Sequence, residues 1–440
     1  MKRIDFLTLA ESLVNYGRRA GADQVEVAIG RGTEFSVRVR KGQIEHLVEA
    51  GALSMGARVI VGQRVASTSS SDLSRATLER LIAGAVARAR LVHADPFAGL
   101  PEKEELSVDI AALRLSDPEV ARMPAEEKIR LALKTEELCL ADPRVANSYG
   151  ASCETHVGEF FIANSLGVRG WYEATSIALG VYLQAGSGDD LVEEGWYESR
   201  RHLADLPPPE MVAQKALMRL IRLIGPRKVP TQNVPVVFEP EVTGQLLGLL
   251  YACVNGGAIY QRQSFLVDKL GQEVASRQVR VVDEGLIPGA PGTRPFDGEG
   301  VPTRTTVVIE NGLLRSYLLD TYSARKLGMR STGNASGPTN LYLAPGPHSP
   351  EDIIASVDKG LLVTSTMGSG FNPVSGDFSR GAFGLWIEGG EVVYPVAEVT
   401  ISGNLGRMLE GIEMVGNDLE LRRSVIGPTV KIGELTVAGS

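Results

Sequence analysis

Cysteine is scarce in this chain: Cys139, Cys153 and Cys253 are the only three in 440 residues, and no two form a CxxC pair. That spacing excludes a closed cysteine zinc site and a disulfide framework, and predicts buried thiols in a reducing compartment. Histidine is equally sparse. His46, His93, His156, His202 and His348 each lie more than forty residues from the next, so no two can share a helical turn as an HExxH-type site requires. Long apolar runs are missing too. Leu246 to Val254, with Gly248 inside it, falls short of the roughly 20 residues a bilayer needs, and Asp5 and Glu11 interrupt the N-terminus where a signal peptide would be apolar. A cytoplasmic location is the expectation. The formal net charge is −8 and the basic pairs Arg200-Arg201 and Arg227-Lys228 are isolated, which disfavours binding to nucleic acid. Neither GxxxxGK[ST] nor GxSxG occurs, and the GxGxxG begun by Gly368-Ser369-Gly370 is broken at Pro373.

What remains is an ordinary globular composition, 43% hydrophobic and 22% charged, in a chain long enough for two or three domains. Phe6, Leu9, Leu13 and Tyr16 recur at helical spacing behind Asp5, a candidate cap. From Gln24 the period changes to two, and turns at Lys41-Gly42-Gln43 and Gly62-Gln63 predict an antiparallel meander. A second helix follows Asp72 or Ser74, and then a linker over residues 95–105. The same order recurs: a helix after Pro124, short strands between Glu159 and Tyr197, and a helix opened by Pro207-Pro208-Pro209 and stopped by Gly225-Pro226. Residues 1–226 therefore read as an N-terminal α+β domain, with a possible repeat of 1–106 in 107–226. Residues 227–440 read as a mostly antiparallel, barrel-like β domain. Its hairpins turn at Asn311-Gly312 and Gly389-Gly390, and its capping box is Ser349-Pro350-Glu351-Asp352.

Chemistry is harder to find. Glu239, Glu241, Asp283, Glu284, Asp297, Glu299 and Asp377 offer acid, base or hard-metal groups, but carboxylates near glycine turns are commonly solvated. The densest polar cluster is Asn372, Ser375, Asp377, Ser379 and Arg380, within the signature that runs from Gly368 to Leu405. It carries donors, acceptors and both charges but no histidine or cysteine, so recognition suits it better than catalysis. The glycine-rich segments 332–337 and 368–370 present backbone amides, and edge strands beside such loops can accept an extended peptide by strand addition.

Five ordered blocks carry a resemblance: PFDGEGVPTR (295–304), IENGLLRSYLLDTYSARKLG (309–328), STGNASGPTNLYLAPG (331–346), GDFSRGAFGLWIEGGEVVYPVAEVTISGNL (376–405) and GNDLELRRSVIGPTVKIGELTVAG (416–439). With GARVIVGQRVASTSSSDLS (56–74) they resemble the TldD/PmbA family, also called modulators of DNA gyrase, and within it the PmbA/TldE branch. The resemblance implies a two-part zinc metalloprotease, linked to peptide-antibiotic maturation and removal of unfolded peptides, in which a TldD-type subunit carries the metal on an HExxxH helix. Here that helix lies within VVFEPEVTGQLLGLLYACVNGG, and the histidine, glutamate and second histidine positions fall on Gly248, Leu249 and Cys253. The cysteine-bearing insertion of the TldD branch has no counterpart in LRRSVIGP (421–428). The resemblance thus implies a chain with no catalytic, metal or cofactor residue of its own, a zinc-carrying TldD-type partner, a peptide or unfolded-protein substrate, and possible homodimerisation. Asn372, Asp377 and Arg380 are the candidate peptide contacts. Two alternatives stand beside it: a self-sufficient metallopeptidase with dispersed ligands such as Glu239, His156 and Asp377, and a binding protein that acts on gyrase through protein contacts.

Overall fold

The computed structural model describes residues 3–106 and 108–439. The first helix, α1 (Arg3–Arg19), places Asp5 in its first turn. Three strands follow, β1 (Gln24–Arg40), β2 (Gln43–Val61) and β3 (Arg64–Ser70), and then α2 (Arg75–Ala89) behind Ser74 as N-cap. After the linker and the short α3 (Pro118–Arg122) come α4 (Ala125–Leu140), β4 (Val145–Asn164), β5 (Arg169–Ala185), β6 (Val192–Arg200) and α5 (Pro209–Ile221). All six strands form one antiparallel sheet in the order β3-β2-β1-β4-β5-β6. β1 and β4 pair at its centre, and one helix-meander-helix set lies to either side.

Turn chemistry sets the hairpins. Lys41-Gly42 and Gly62-Gln63 both hold two successive positive φ angles, the geometry that matches strand twist in a two-residue turn. Along β1 alternate residues are buried. Val25, Val27 and Ile29 pack against Phe6, Leu13, Leu78 and Ile82 of α1 and α2. Phe35, Val37 and Val39 share a core with Ala132, Cys139, Ala216 and Leu220 of α4 and α5. Both helix pairs thus cover the same face at its two ends. The opposite face is covered around Glu26, Phe160 and Ile162 by the segment that carries Phe296 and Glu299, and lies open around Tyr149, Tyr182 and Tyr197. The expectation of short strands between Glu159 and Tyr197 gives way to two long ones, because β4 and β5 stay paired from Val145↔Ala185 to Ala163↔Arg169.

The second half contains β7 (Gln232–Phe238), α6 (Pro240–Val254), α7 (Gly256–Tyr260), β8 (Val281–Glu284), β9 (Thr305–Glu310), β10 (Leu313–Leu314), α8 (Thr321–Leu327), β11 (Leu341–Leu343) and α9 (Pro350–Ala355). It ends with β12 (Lys359–Met367), β13 (Asp377–Glu388), β14 (Glu391–Asn404), α10 (Leu405–Glu410), β15 (Ile412–Val415), β16 (Val425–Ile426) and β17 (Val430–Ala438). Strands β14, β13, β12, β7 and β17 form a barrel, closed where Thr400 to Ser402 pair with Ala438 to Thr436; β15 extends β17. A smaller sheet runs β10-β9-β8-β11-β16. Helix α6 touches β7 and β12 of the barrel and β11 and β16 of the small sheet. The mixed α+β architecture with a barrel-like C-terminal part is as the sequence predicts.

Val237, Leu362, Leu385 and Ile387 of the barrel join the core built by α4 and α5. Those helices are therefore packed between the sheet and the barrel, and the junction so formed positions the polar residues described next. Among the described residues no helix is long and apolar enough to cross a membrane.

Candidate functional site

Helix α6 begins where the barrel meets α5. Glu239 is its N-cap, Pro240 fits the first turn because its fixed φ is already helical and it has no N–H to leave unpaired, and Glu241 sits where the helix dipole favours an anion. From the last turn of α5, Arg219 reaches Glu239 at 3.0 Å, Glu194 of β6 at 3.3 Å and Glu241 at 3.9 Å. Arg222 grips the same Glu239 with two hydrogen bonds, 2.5 and 2.8 Å long. Burial pushes the Glu239 carboxyl upward, but the hydrogen bonds and charges of Arg222 and Arg219 outweigh it and leave the group below its ordinary value. Burial likewise opposes the charge on Arg219, and the three carboxylates more than restore it.

Trp196 of β6 is the centre of this cluster. Its ring lies 4.4 Å from the guanidinium of Arg422 and 5.2 Å from those of Arg219 and the Lys215 ammonium, a cation–π stack, while its indole N–H donates to Glu198 at 2.8 Å. Arg422 in turn pairs with Glu241 at 2.8 Å. The segment where the resemblance shows no cysteine insertion thus contributes a guanidinium to the junction.

Two cavities of about 600 and 690 Å³ open beside this cluster and share Trp196, Arg219 and Glu241 in their walls. The first lies on the open face of the sheet. Its floor is made by Gly180 and Gly195, which face Tyr197 and Tyr182 across the strands. A Cβ at Gly195 would sit 2.4 Å from the Val181 carbonyl oxygen and 2.7 Å from the Tyr182 ring, so only glycine lets that ring lie across the strand. The Tyr149 ring lies tilted against that of Tyr182, 5.8 Å between centroids, and its hydroxyl is held by Glu193 and Gln184. Tyr149, Tyr182 and Tyr197 remain exposed, with Arg423 opposite. Flat aromatic surface, free strand edge and charges of both signs suit an extended peptide.

The residues singled out from sequence lie elsewhere. Asn372 accepts from the Val374 amide at 3.0 Å, and Asp377 accepts from the Ser375 hydroxyl at 2.7 Å and from Asn404 at 3.3 Å. Those hydrogen bonds hold the exposed Asp377 carboxyl below its ordinary value. Arg380 lies over the Phe378 ring at 5.7 Å. Asp377 and Asn404 line a separate polar cavity that shares no residue with the two at the junction. Nor does the fold bring Glu239, His156 and Asp377 together: Glu239 is spent on two arginines, and His156 lies in β4 opposite Glu34 and Ser176.

On α6, Gly248 faces open space and Leu249 packs against the core. Cys253, five residues on and so about 140° around the helix, is buried with its Sγ 4.0 Å from the Pro373 carbonyl oxygen. Burial pushes that thiol up to about 12. A hydrogen, a hydrocarbon and a neutral core thiol do not make a donor set for zinc. Among the described residues no group of three or more His, Cys, Asp or Glu is arranged to hold a metal ion.

A second buried charge cluster joins the N-terminal sheet to the other half. Arg58 of β2 lies 3.3 Å from Glu26 of β1 and 2.9 Å from Glu299, whose other oxygen accepts from the Thr321 amide. Burial raises Glu26 to about 7 despite Arg58, with Glu299 adding to the shift.

Sequence reasoning passed over Trp196, Arg219, Arg422 and the tyrosines. The available signals were an arginine on the apolar face of α5, between Ala216 and Leu220, and glycines next to aromatics at Tyr149-Gly150 and Gly195-Trp196-Tyr197.

This architecture, a long antiparallel sheet joined through a charged seam to a closed barrel, is that of a known class of metallopeptidase-related proteins. Models of the PmbA/TldA metallopeptidase match in three parts: domain 1 over residues 25–89, the central domain over 118–224 and the C-terminal domain over 231–439. The chain is 36% identical over 419 residues to the metalloprotease PmbA of Escherichia coli O157:H7, covering 95% of this chain and 93% of that one. It is 33% identical to the PmbA homolog of Haemophilus influenzae, covering 97% and 94%. Among solved structures, a putative modulator of DNA gyrase from Bacteroides thetaiotaomicron superposes with a TM-score of 0.92 at 29% identity, with 98% of each chain covered. TldE from Thermococcus kodakarensis, at 23% identity and a TM-score of 0.86 over 98% of this chain and all of that one, shares the fold. The chain belongs to the PmbA/TldD family.

Proposed function

We propose that this chain is a PmbA/TldE-type subunit of a two-component peptidase: it performs no metal chemistry of its own and shapes the peptide-holding cavity for a zinc-carrying TldD-type partner. What supports this reading is α6, where the resemblance puts the HExxxH motif at Gly248, Leu249 and Cys253, and where Gly248 faces open space and the Cys253 thiol is buried in the core. Peptide would lie along the open face of the N-terminal sheet, its side chains against Tyr149, Tyr182 and Tyr197 and its termini or charges met by Arg423 and Glu193. The 600 Å³ cavity accommodates a few residues of extended chain rather than a folded substrate.

The test is assembly. Mixed with a TldD-type chain bearing an intact HExxxH, this protein should co-elute as a stoichiometric complex in size-exclusion chromatography. Failure to form that complex, together with zinc-dependent hydrolysis by this chain alone, removes the proposal.

A further inference from the structure

We propose that the cavity beside Tyr182 and Tyr197 holds a short peptide by its two free ends, the ammonium at Glu193 and the terminal carboxylate at Arg423. The inference rests on the proposed reading of this face as the peptide site. Most charges in the cavity wall are already committed. Arg219 is shared by Glu194, Glu239 and Glu241, Arg422 takes Glu241 as well, and Arg38 pairs with Glu45 at 2.8 Å. Among the described residues, neither Glu193 nor Arg423 has an ion pair. Glu193 Oε1 accepts from the Tyr149 hydroxyl and from Gln184 at 3.1 Å, and no hydrogen bond reaches Oε2. These neutral donors hold the carboxylate in place without neutralising it. Arg423 has no hydrogen bond either, whereas its neighbour Arg422 holds Glu241 and Glu420. It stands in the wall of the 600 Å³ cavity, and its charge acts on the Tyr197 hydroxyl.

The strand between the two charges acts as a ruler. Glu193, Gly195 and Tyr197 alternate onto one face of β6, and the four residues from first to last span about 13 Å. An extended peptide of about four residues has the same distance between its ammonium and its carboxylate. Tyr182 lies between the ends, over Gly195, so the middle of the peptide meets a ring rather than a charge. Polarity follows from the signs. The reverse orientation sets carboxylate against Glu193 and ammonium against Arg423. An interior segment of a longer chain brings only neutral amides to both charges and gains neither charge-assisted contact. Glu154 also acts on Tyr197, but it does not line the cavity, and burial together with Glu34 raises its carboxyl. With Arg38 held by Glu45, Arg423 is the charge a ligand meets at that end.

Titration calorimetry of this chain with a free tetrapeptide of alanine and leucine tests the inference. Acetylating the N-terminus of that peptide, or amidating its C-terminus, should each raise the dissociation constant about tenfold. Arg423→Gln should weaken the free peptide about tenfold and leave the amidated one unchanged, while Arg423→Lys keeps most of the affinity. Glu193→Gln should do the same with the acetylated peptide. Neither glutamine variant should shift the melting temperature, since neither residue has an ion pair to lose. Capped peptides that bind as tightly as the free one overturn the inference. So does an Arg423→Gln chain that still tells acid from amide as wild type does. An amidated peptide ending in aspartate that binds like the free acid assigns Arg423 to acidic side chains and overturns the free-end assignment. If no tetrapeptide binds at about 1 mM while this chain still assembles with a TldD-type partner, the inference fails and the proposed function stands. If the caps abolish binding and no such complex forms, the proposed function fails and the anchoring of free ends stands.

Discussion

Arg219 and Glu239 meet across the junction of the two halves, Nη1 to Oε2 at 3.0 Å, with only 7% of the arginine side chain exposed. Replacing the arginine strands carboxylates in a place built for a cation. Arg219→Met should destabilise the protein by about 3 kcal/mol in urea unfolding at pH 7, since removing one partner of a buried pair leaves the other uncompensated. Glu239 keeps Arg222, so the loss stays below that of an isolated pair. Because the folded Glu239 carboxyl lies below its ordinary 4.5, its contribution is present above that pH and is lost as pH falls through the folded value. The stability curves of wild type and variant should converge in acid.

Glu26 has the opposite sign. Its folded value is raised from 4.5 to about 7, so the folded state holds the proton more tightly. The associated stability is fully present below pH 4.5 and is lost as pH rises through 7, by on the order of 3 kcal/mol. Glu26→Gln keeps an acceptor for Arg58 and removes the titration. The variant should be more stable than wild type at pH 8, and its melting temperature should vary less between pH 5 and 8.

The tyrosine floor should matter for peptide and not for folding. Tyr182→Ser and Tyr197→Ser remove partly exposed rings, so melting should shift little while the affinity of the assembled complex for an extended peptide falls about tenfold. Gly195→Ala should do the reverse first: its Cβ meets backbone at 2.4 Å, which costs stability before peptide is added. Fluorescence anisotropy of a labelled peptide, beside thermal melts, separates the two outcomes.

The thiols give a check on the core. Cys139, Cys153 and Cys253 are each buried and each pushed up to about 12 by that burial. None should react with a thiol reagent at pH 8 in the folded protein, and all three should titrate together on unfolding. Rapid modification of Cys253 alone would mean that α6 opens.

Local chemistry makes much of the fold readable from the sequence. Asn311-Gly312 and Gly389-Gly390 hold two positive φ angles each, and Ser349 with Asp352 forms the capping box that its spacing predicts. Strand extent was less legible. The hairpin predicted at Asn311-Gly312 pairs only at Leu313 and Leu314 on its second strand, because the amides of Arg315 and Ser316 both turn onto the Val308 carbonyl and break the ladder. The site was least legible. Trp196, Arg219, Glu239 and Arg422 are distant in sequence and meet only because α5 is clamped between the sheet and the barrel. The polar signature around Asp377 is dense in sequence, and its carboxylate accepts from Ser375 of its own turn and from Asn404 on the facing strand.

Metal content and peptide hydrolysis, measured side by side for this chain alone, a TldD-type chain alone and the two together, test the central claim most directly. The account predicts no stoichiometric zinc and no hydrolysis for this chain alone, with zinc and activity in the assembled complex and loss of activity when the HExxxH of the partner is altered. Stoichiometric zinc and zinc-dependent hydrolysis by this chain alone would contradict it.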